Sequence, residues 1–443
     1  MRRTLSTLSA LAIAVPLLLT GPPAVAAPLP RAATRINDVD GDGRVDLVFV
    51  LGDRRAEDPA DRPRLQVRFA DGDIQSITAE EMGDEIFEDS TFGRGLAVGD
   101  LNADGCADII VSDTSAGPSY NGRVWAVWGS ADGISAKRVT VLTTGRRSES
   151  IGQAVAFVPL PEPVLAVSGY HSRLGTVTLH RVTPSGRLGA ARQLRMGSPG
   201  IVGTAQPEAG FGNSMAASGD LLVLAASTVE AVYVLQLQPG LRYWATRVRQ
   251  GSRGVPGTPE EFDGFGTDVS ILGDRVAIAV LEGVGRHESA GAVQALRVER
   301  TGHGLRIHPG RLITQASAGI PGTVGKDRNF GLDLIVTTVC PGIRGVLTRE
   351  RRTSPLTVPF AATERCPGLW LDHPTVRYSP SQPDVQEWAD FTVLRDRPAG
   401  SATEAWVVWV PGQALVTGRP GAWTPVDAGI PADQHVTFAR PAA

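Results

Sequence analysis

The sequence has few cysteines, little net charge and few long amphipathic helical patterns. Its three cysteines in 443 residues are too widely spaced for a cysteine-ligated metal cluster. A net charge of −3 gives no basic surface for a nucleic acid or for an anionic membrane. The charge thus gives no indication of a nucleic-acid partner or an anionic membrane partner, and the scarcity of helical patterns leaves strands as the main candidate elements.

Sequence motifs for catalysis are also missing. No HExxH, GxSxG or GxxxxGK[ST] motif occurs. His287 and Glu288 could form an acid–base pair, but they lie in a glycine-rich stretch that is typical of an exposed loop. His303 and His308 flank a turn and could contact a metal ion, although the turn itself does not require one. A Ser–His–Asp triad is defined by geometry, so one assembled from distant segments stays open.

The longest apolar run lies close to the N-terminus. Two arginines precede the apolar stretch 11–19, and a small-residue cleavage motif ends at Ala26. This pattern predicts a signal peptide over 1–26, cleaved near Ala26, and a short mature segment over 27–32. The stretch is too short to cross a bilayer and no second one follows, so we expect a secreted protein without a transmembrane anchor.

The cysteines fit an oxidising compartment outside the cytoplasm. Cys340 and Cys366 each precede Pro-Gly, which places both at strand-to-turn junctions, and they could form a disulfide with each other. Cys106 has no evident partner.

Glycine and proline are abundant, with 51 and 32 residues, and they separate short β-branched runs that read as strands. An aromatic-glycine or Ile-Gly pair recurs every 54 to 65 residues, which indicates a repeat array. The pairs begin at Phe92, Ile151, Phe211, Phe265 and Phe330.

Each repeat has the same internal order. The pair leads into a small-residue strand, a tight turn or acidic loop, an apolar strand, a Gly-x-Val strand and a closing strand. Four antiparallel strands in a unit of this length predict a propeller blade, and blades must stack because none buries both faces alone. The sequence therefore predicts an all-β protein, a single β-propeller over 33–443.

We expect seven blades, with six as the alternative. An unrelated C-terminal β domain from about 341 is a further option, because the pattern weakens there. The predicted blades cover roughly 33–82, 92–142, 151–195, 211–249, 265–315, 330–380 and 388–440.

The chain resembles the FG-GAP repeat family, the β-propeller of integrin α-chain heads and of many secreted bacterial proteins. The resemblance is carried by Phe92-Gly93, by the loop 100–108 and by the Gly122-x-Val124 strand. It covers roughly residues 33–340. It implies a secreted binding module of the integrin-α type, with calcium in the acidic loops.

Two nine-residue loops, 38–46 and 100–108, carry acidic or amide side chains at alternate positions. Like charges this close repel, and Ca²⁺ takes six to eight oxygen ligands in flexible geometry. We therefore expect two Ca²⁺ sites, in neighbouring blades and with a structural role. The predicted ligands are the side chains of Asp38, Asp40, Asp42 and Asp46 with the carbonyl of Arg44, and those of Asp100, Asn102, Asp104 and Asp108 with the carbonyl of Cys106.

An EF-hand is the competing interpretation of these loops. It requires a glutamate at the twelfth position and flanking helices. The twelfth positions are Phe49 and Val111, inside apolar runs typical of strands. The equivalent turns at 218–221 and 272–275 are too short to enclose an ion, so we expect no further site there.

Two tryptophan pairs are candidates for a ligand platform. Trp125 and Trp128 lie three residues apart, and Trp406 and Trp409 repeat this spacing. Residues three apart on a strand point to opposite faces, and packing between blades is the favoured role.

Taken together, these patterns favour a monomeric binding or adhesion module for a protein or a cell-surface glycan. The alternative is an extracellular hydrolase or lyase built on the same propeller, and a purely structural envelope protein is a third possibility.

Overall fold

The computed structural model describes most of the chain between residues 37 and 441. The described ranges are 37–52, 62–84, 90–146, 149–171, 173–259, 263–281, 287–317, 320, 323–340, 343–348, 356–360, 390–394, 405–409, 415–419, 422–426 and 436–441. The predicted signal peptide, the segment 27–32 and Cys366 lie outside these ranges.

The described residues form strands joined by turns, in agreement with the β-rich composition. In chain order the strands are β1 Leu47–Leu51, β2 Arg64–Arg68, β3 Ile74–Thr78, β4 Leu96–Gly99, β5 Asp108–Asp113, β6 Arg123–Val127, β7 Val139–Thr144, β8 Val155–Val158, β9 Val164–His171, β10 Leu174–Val182, β11 Leu188–Leu194, β12 Phe211–Ser218, β13 Leu221–Ala226, β14 Ala231–Gln238, β15 Arg242–Val248, β16 Val269–Leu272, β17 Arg275–Val280, β18 Ala292–Thr301, β19 Gly304–Ile313, β20 Leu334–Cys340, β21 Ile343–Thr348, β22 Leu356–Pro359, β23 Asp390–Leu394, β24 Ala405–Trp409, β25 Leu415–Arg419, β26 Ala422–Val426, β27 Val436–Phe438 and β28 Arg440–Pro441. The helical segments among the described residues are single turns at Ala136–Arg138 and Ser227–Val229. The segments Ala116–Tyr120 and Pro239–Leu241 contain residues with non-helical dihedral angles and are irregular turns.

The strands assemble into seven sheets, which we number as blades 1 to 7 in chain order. Five sheets have four strands, one has five and one has three. Within each blade, strands adjacent in the chain pair antiparallel, as the repeat pattern predicted. Blades 2 to 7 begin at β4, β8, β12, β16, β20 and β23. Seven sheets are consistent with the larger of the two predicted blade counts.

The first strands of the blades form a closed circle. β4 lies beside β8, and the series continues through β12, β16 and β20 to β23. β23 in turn contacts β27 and β28. The circle closes because β27 pairs with β1 and β28 pairs with β4. At the junction between the two ends of the array, each of the described strands β1 and β4 therefore has a partner from the C-terminal end.

The position of β27 corrects one predicted boundary. The sequence placed residues up to 440 in the last blade, but Val436–Phe438 pairs with β1 of blade 1. Phe438 is buried and packs against Phe49 with ring centroids 5.8 Å apart. The physical reason is the buried face of β1, all five of whose residues are buried. An apolar strand with an open edge must be covered, and the late strand covers it.

The glycine of each aromatic-glycine or Ile-Gly pair packs directly against the preceding blade. These glycines have φ between +81° and +93°, and a Cβ on any of them would approach an atom of the previous blade to under 3.0 Å. Only glycine combines this backbone conformation with this contact. The contacts are Gly93 with Val50, Gly152 with Ser112, Gly212 with Val177, Gly266 with Val232 and Gly331 with Ala292.

The Gly-x-Val strands show how the repeat tolerates a substitution. Gly122 and Gly291 leave no room for a Cβ against the Ile-Gly or Phe-Gly pair of the next repeat. In blade 4 the same place is taken by Glu230, at φ +51°. Its carboxylate accepts hydrogen bonds from the N–H groups of Gly264 and Phe265, at 3.0 and 2.5 Å. The Glu230 side chain therefore holds the next Phe-Gly pair by hydrogen bonds. In the other repeats the absence of a side chain on glycine lets that pair pack closely.

The seams between blades combine apolar and polar contacts. Apolar side chains from adjacent blades share buried clusters, for example those built around Tyr233 and Trp125. The buried Asp268 of blade 5 accepts hydrogen bonds from Ser214 Oγ of blade 4, at 2.8 Å, and from the Leu334 N–H of blade 6, at 2.9 Å. One carboxylate thus joins three consecutive blades.

The tryptophan and cysteine predictions have different outcomes. Trp125 is fully buried between blades 1 and 2, and Trp128 is half-buried with its indole N–H donated to Thr140 at 2.9 Å. The side chains of Trp406 and Trp409 lie outside the described part of the structure. Cys106 is a free thiol. The Cys340–Cys366 disulfide stays a prediction. No helix among the described residues is long and apolar enough to cross a membrane.

Candidate metal centre

The two acid-rich loops occupy equivalent places in neighbouring blades. Loop 1 covers 38–46 and leads into β1, and loop 2 covers 100–108 and joins β4 to β5. We number the residues of each loop from 1 to 9. Positions 1, 3, 5 and 9 are Asp38, Asp40, Asp42 and Asp46 in loop 1 and Asp100, Asn102, Asp104 and Asp108 in loop 2.

The loops fold through the same hydrogen bonds at matching positions. In both, the N–H of the position-6 glycine donates to the position-1 carboxylate, at 2.9 Å in loop 1 and 3.1 Å in loop 2. The position-5 N–H donates to the position-3 side chain, and the position-7 N–H donates to the position-5 carboxylate. Gly43 and Gly105 take φ of +85° and +97°, which a side chain would strain.

The position-9 aspartates are buried and hold each loop to its blade. Asp46 accepts from the N–H groups of Val39, at 2.7 Å, and Ala70, at 3.1 Å. Asp108 accepts from Leu101, at 2.8 Å, and Gly129, at 3.1 Å. Each carboxylate thus links the second residue of its loop to a residue that follows the adjacent strand, β2 in blade 1 and β6 in blade 2.

The sequence analysis missed the buried residues at position 2. Val39 and Leu101 are both fully buried, and each N–H is one of the two that the position-9 aspartate accepts. The signal was present, since an apolar residue follows the first aspartate in both loops.

Three of the predicted ligands in loop 1 converge. Asp38, Asp40 and Asp42 each place one carboxylate oxygen within 4.8 Å of the others. Asp38 is only 2% exposed, and its Oδ1 is buried without a hydrogen-bond partner. A buried carboxylate oxygen without a partner is costly unless a cation or a donor meets it. The donor set of loop 1 therefore fits a hard, oxygen-preferring cation.

Loop 2 has a similar set with one charge fewer. Asn102 replaces an aspartate at position 3, and its amide nitrogen donates to Asp104 at 3.0 Å. Asp100 accepts from the N–H groups of Asp104 and Gly105, both at 3.1 Å. Asp104 is exposed. The roles of the Arg44 and Cys106 carbonyls stay predictions.

The electrostatics of both loops disfavour ionised carboxylates. Burial, followed by the Asp40 and Asp42 charges, raises the pKa of Asp38 against the opposing hydrogen bonds of the loop. Burial raises the pKa of Asp46 to about 7 and that of Asp108 to about 8. A bound dication would reverse this penalty by favouring the charged forms.

The two loops touch each other. The Ala107 N–H of loop 2 donates to the Asp38 carbonyl of loop 1, at 2.7 Å. A Cβ on Gly41 would lie 3.0 Å from Cys106 Sγ, so the thiol fills the space between the loops. Burial and the acids of both loops raise the pKa of Cys106 to about 11. This thiol is therefore protonated at neutral pH and is a poor nucleophile.

The shorter equivalent turns hold single acids that contact arginines. Asp220 lies 2.5 Å from Arg300 Nη2, and Asp274 lies 3.6 Å from Arg275 Nε. Each of these turns therefore carries an Asp–Arg pair where the longer loops carry a cluster of acids.

Two residues that the sequence singled out, His308 and Glu288, lie on the outside of the molecule. His308 Nε2 is 2.5 Å from Glu299 Oε2, but β19, which carries His308, is the outermost strand of blade 5. Glu288 is exposed and pairs with Lys326 at 2.7 Å. Neither pair lies in a deep cleft among the described residues.

The fold and these loops define a β-propeller with acid-rich turns between its blade strands. Residues 38–111, which include both loops, match the family model of the FG-GAP-like repeat. The predicted resemblance to the FG-GAP repeat family is thereby confirmed over these residues.

Other comparisons add no functional information. No curated protein matches the chain. Among solved structures, the periplasmic gluconolactonase PpgL of Pseudomonas aeruginosa is 14% identical with a TM-score of 0.43, over 89% of this chain and 99% of that one. A variant of the Synechocystis apocarotenoid oxygenase is 10% identical with a TM-score of 0.44, over 91% of this chain and 94% of that one.

Proposed function

We propose that the protein is a secreted, calcium-stabilised β-propeller that binds a protein or a glycan at the cell surface. The observation that carries the calcium part is the buried, unpartnered Oδ1 of Asp38 beside the carboxylates of Asp40 and Asp42. In loop 1 these three side chains would hold the ion, with Asp46 and the Arg44 carbonyl completing the set. In loop 2 the ligands would be Asp100, Asn102, Asp104, Asp108 and the Cys106 carbonyl.

Calcium in these loops would act on stability. Each ion would neutralise acids that otherwise repel each other, and it would fix the turn that leads into β1 or β5. Because the loops are joined by the Ala107–Asp38 hydrogen bond, the ions would also stabilise the contact between blades 1 and 2.

A thermal melt with calcium and with chelator tests this role. Asp38→Asn should remove most of the calcium-dependent rise in Tm at loop 1, and Asp104→Asn should do so at loop 2. At a calcium concentration 100 times the Kd, one site adds about 2.7 kcal/mol of stability. A wild-type Tm that is the same in calcium and in chelator would refute the proposal.

Asp71→Asn is the matched control. Asp71 is an exposed turn aspartate whose Oδ1 accepts the Asp73 N–H at 3.0 Å, so it makes the same local turn outside the cluster. Its variant should keep the full calcium response.

The binding role is supported by the FG-GAP-like repeat, a repeat typical of protein-binding modules. A pull-down of the mature chain against cell-envelope protein and glycan fractions, with and without calcium, tests it. We expect calcium-dependent retention of one fraction. An extracellular hydrolase or lyase would instead turn over a substrate without stable retention, and that result would replace the binding role.

A further inference from the structure

Blade 3 lacks an aromatic pair that blades 2 and 4 both contain. In those blades, the aromatic residue of the Phe-Gly pair packs edge-to-face on a buried ring of the third strand. The ring centroids of Phe92 and Trp125 are 6.2 Å apart, and those of Phe211 and Tyr233 are 5.4 Å apart. All four rings are buried and face the preceding blade.

Register identifies the equivalent position in blade 3. Trp125 pairs with Val111 and Tyr233 pairs with Leu224, each the fourth residue of the second strand of its blade. The fourth residue of β9 is Val167, and its partner is Thr178. The Phe-Gly pair of this blade is Ile151-Gly152. Two large rings are therefore replaced by a half-buried isoleucine and a half-buried threonine.

A polar cleft opens where the rings are missing. It has a volume of about 420 Å³ and lies between blade 3 and the end of blade 2. Thr178, His180 and Gln193 line it from one face of blade 3, because Thr178 and His180 alternate along β10 and Gln193 pairs with Thr178. Thr143, Arg146 and Glu149 line it from the side of blade 2.

Three polar side chains on this face of blade 3 make no hydrogen bond among the described residues. No hydrogen bond involves the side chain of Thr178, His180 or Gln193 in the described part of the chain, whereas the neighbouring Thr176 donates to the Gly169 carbonyl at 3.1 Å. Burial lowers the pKa of His180, so its imidazole is neutral at physiological pH and offers one donor and one acceptor. Hydroxyl, amide and neutral imidazole each donate and accept.

We infer that this polar cleft binds a neutral, hydroxyl-rich ligand the size of one or two sugar rings, and the inference rests on the proposed binding role. Ligand hydroxyls both donate and accept, as do the three unpartnered side chains. Arg146 and Glu149 carry opposite charges, so the lining has no net charge to select an ion. The volume lies within the range of small-molecule sites.

Refilling the cleft tests the inference directly. The double variant Ile151→Phe/Thr178→Tyr restores the aromatic pair of blades 2 and 4. The probes are glucose, galactose, mannose and N-acetylglucosamine, each followed by saturation-transfer NMR and calorimetry. At least one sugar should bind the wild-type chain, and the refilled variant should bind it about tenfold or more weakly.

Two further variants keep the test informative if the double variant does not fold. Gln193→Leu removes one polar side chain that would contact the ligand at the open edge of the cleft, so it should weaken sugar binding. This result does not depend on whether the double variant folds. Arg181→Gln is the matched control, because Arg181 lies on the same strand with opposite side-chain direction and contacts Glu162 at 3.2 Å. It should bind the sugar as the wild type does.

The outcomes separate this inference from the proposed function. If no sugar binds, the cleft holds only water and the inference is wrong. If a sugar binds equally to the refilled variant, the site lies elsewhere while the binding role stands. If the chain retains no protein or glycan fraction at all in the pull-down, the proposed binding role itself fails.

Discussion

At the scale of single residues, Asp46 and Asp108 carry the largest electrostatic cost in the acid-rich loops. Both are fully buried and both accept two backbone N–H groups. Burial nevertheless outweighs those hydrogen bonds and raises their pKa values to about 7 and about 8, from an ordinary value of 3.8. The position-9 aspartate must be buried to hold the loop, and this burial disfavours its charged form.

The conflict predicts a pH dependence in chelator. Above about pH 4 the unfolded chain has lost these protons, whereas the folded chain keeps them until about pH 7 to 8. The folded state therefore binds more protons in this window, and the Tm in chelator should fall as the pH rises from 5 to 8. Calcium should oppose the fall by favouring the charged forms, so its effect on Tm should be larger at pH 8 than at pH 5.

The measurement is a set of melts across this pH range, with and without calcium. Asp108→Asn should flatten the slope in chelator, because its amide does not titrate. A wild-type Tm in chelator that rises with pH across the window would contradict the prediction.

The residue scale also marks a limit of sequence reasoning. The alternate acids predicted the convergence of Asp38, Asp40 and Asp42, because ligand spacing is a local property. The double hydrogen-bonded role of Asp46 was not predictable, since one donor, Ala70, lies 24 residues away in the chain. The polar cleft was hidden for the same reason, as the equivalence of Thr178 with Trp125 and Tyr233 appears only once the strands are in register.

At the scale of elements, the Phe-Gly pair is a joint between blades. The aromatic ring enters the core, and the glycine backbone lies flat against the preceding blade. The recurrence of the pair predicted the repeat and the all-β fold, because one steric requirement is repeated at each joint. The spacing of the pairs in the sequence could not show whether the glycine contacts the preceding or the following blade.

Two alanine substitutions separate the contact from the backbone conformation. Gly93→Ala should destabilise the protein by about 2–5 kcal/mol, because it adds a Cβ within 3.0 Å of Val50 to the cost of positive φ. Gly273→Ala is the control, since Gly273 has φ +63° but nothing within 4 Å of its Cβ position. It should cost only about 1–2 kcal/mol.

Urea denaturation of both variants measures the difference. Equal losses would show that the backbone conformation alone explains the glycine, and that the contact with the preceding blade contributes nothing.

At the scale of the whole molecule, the fold depends on a strand from the far end of the chain. The sequence predicted a strand near 435–439 but assigned it to the last blade, because an apolar strand does not specify its partner. The structure pairs it with β1, where Phe438 is buried and the Ala439 N–H donates to the Val48 carbonyl at 3.0 Å.

Removing this closure should open the circle. Deletion of 436–443 should lower stability by about 3–6 kcal/mol, from the lost burial of Val436 and Phe438, and expose the edge of β1 to aggregation. Deletion of 442–443 alone is the control and should change little. Phe438→Ala gives a milder test, with an expected cost of about 3–5 kcal/mol.

Thermal melts and gel filtration report the two effects. A chain lacking 436–443 that melts and elutes like the control would show that the pairing of β27 with β1 does not hold the circle together.

The pairing of β1 with β27 also determines when the first blade can be completed during synthesis of the chain. The first blade needs a partner strand made some 390 residues after its own, so it stays incomplete while almost all the rest of the polypeptide is synthesised. At ordinary rates of translation this interval is roughly 20–80 s. During this interval β1 is an apolar strand with an open edge. Holding chaperones recognise segments of this kind. The chain would leave such a chaperone once the last strand is available to pair with β1.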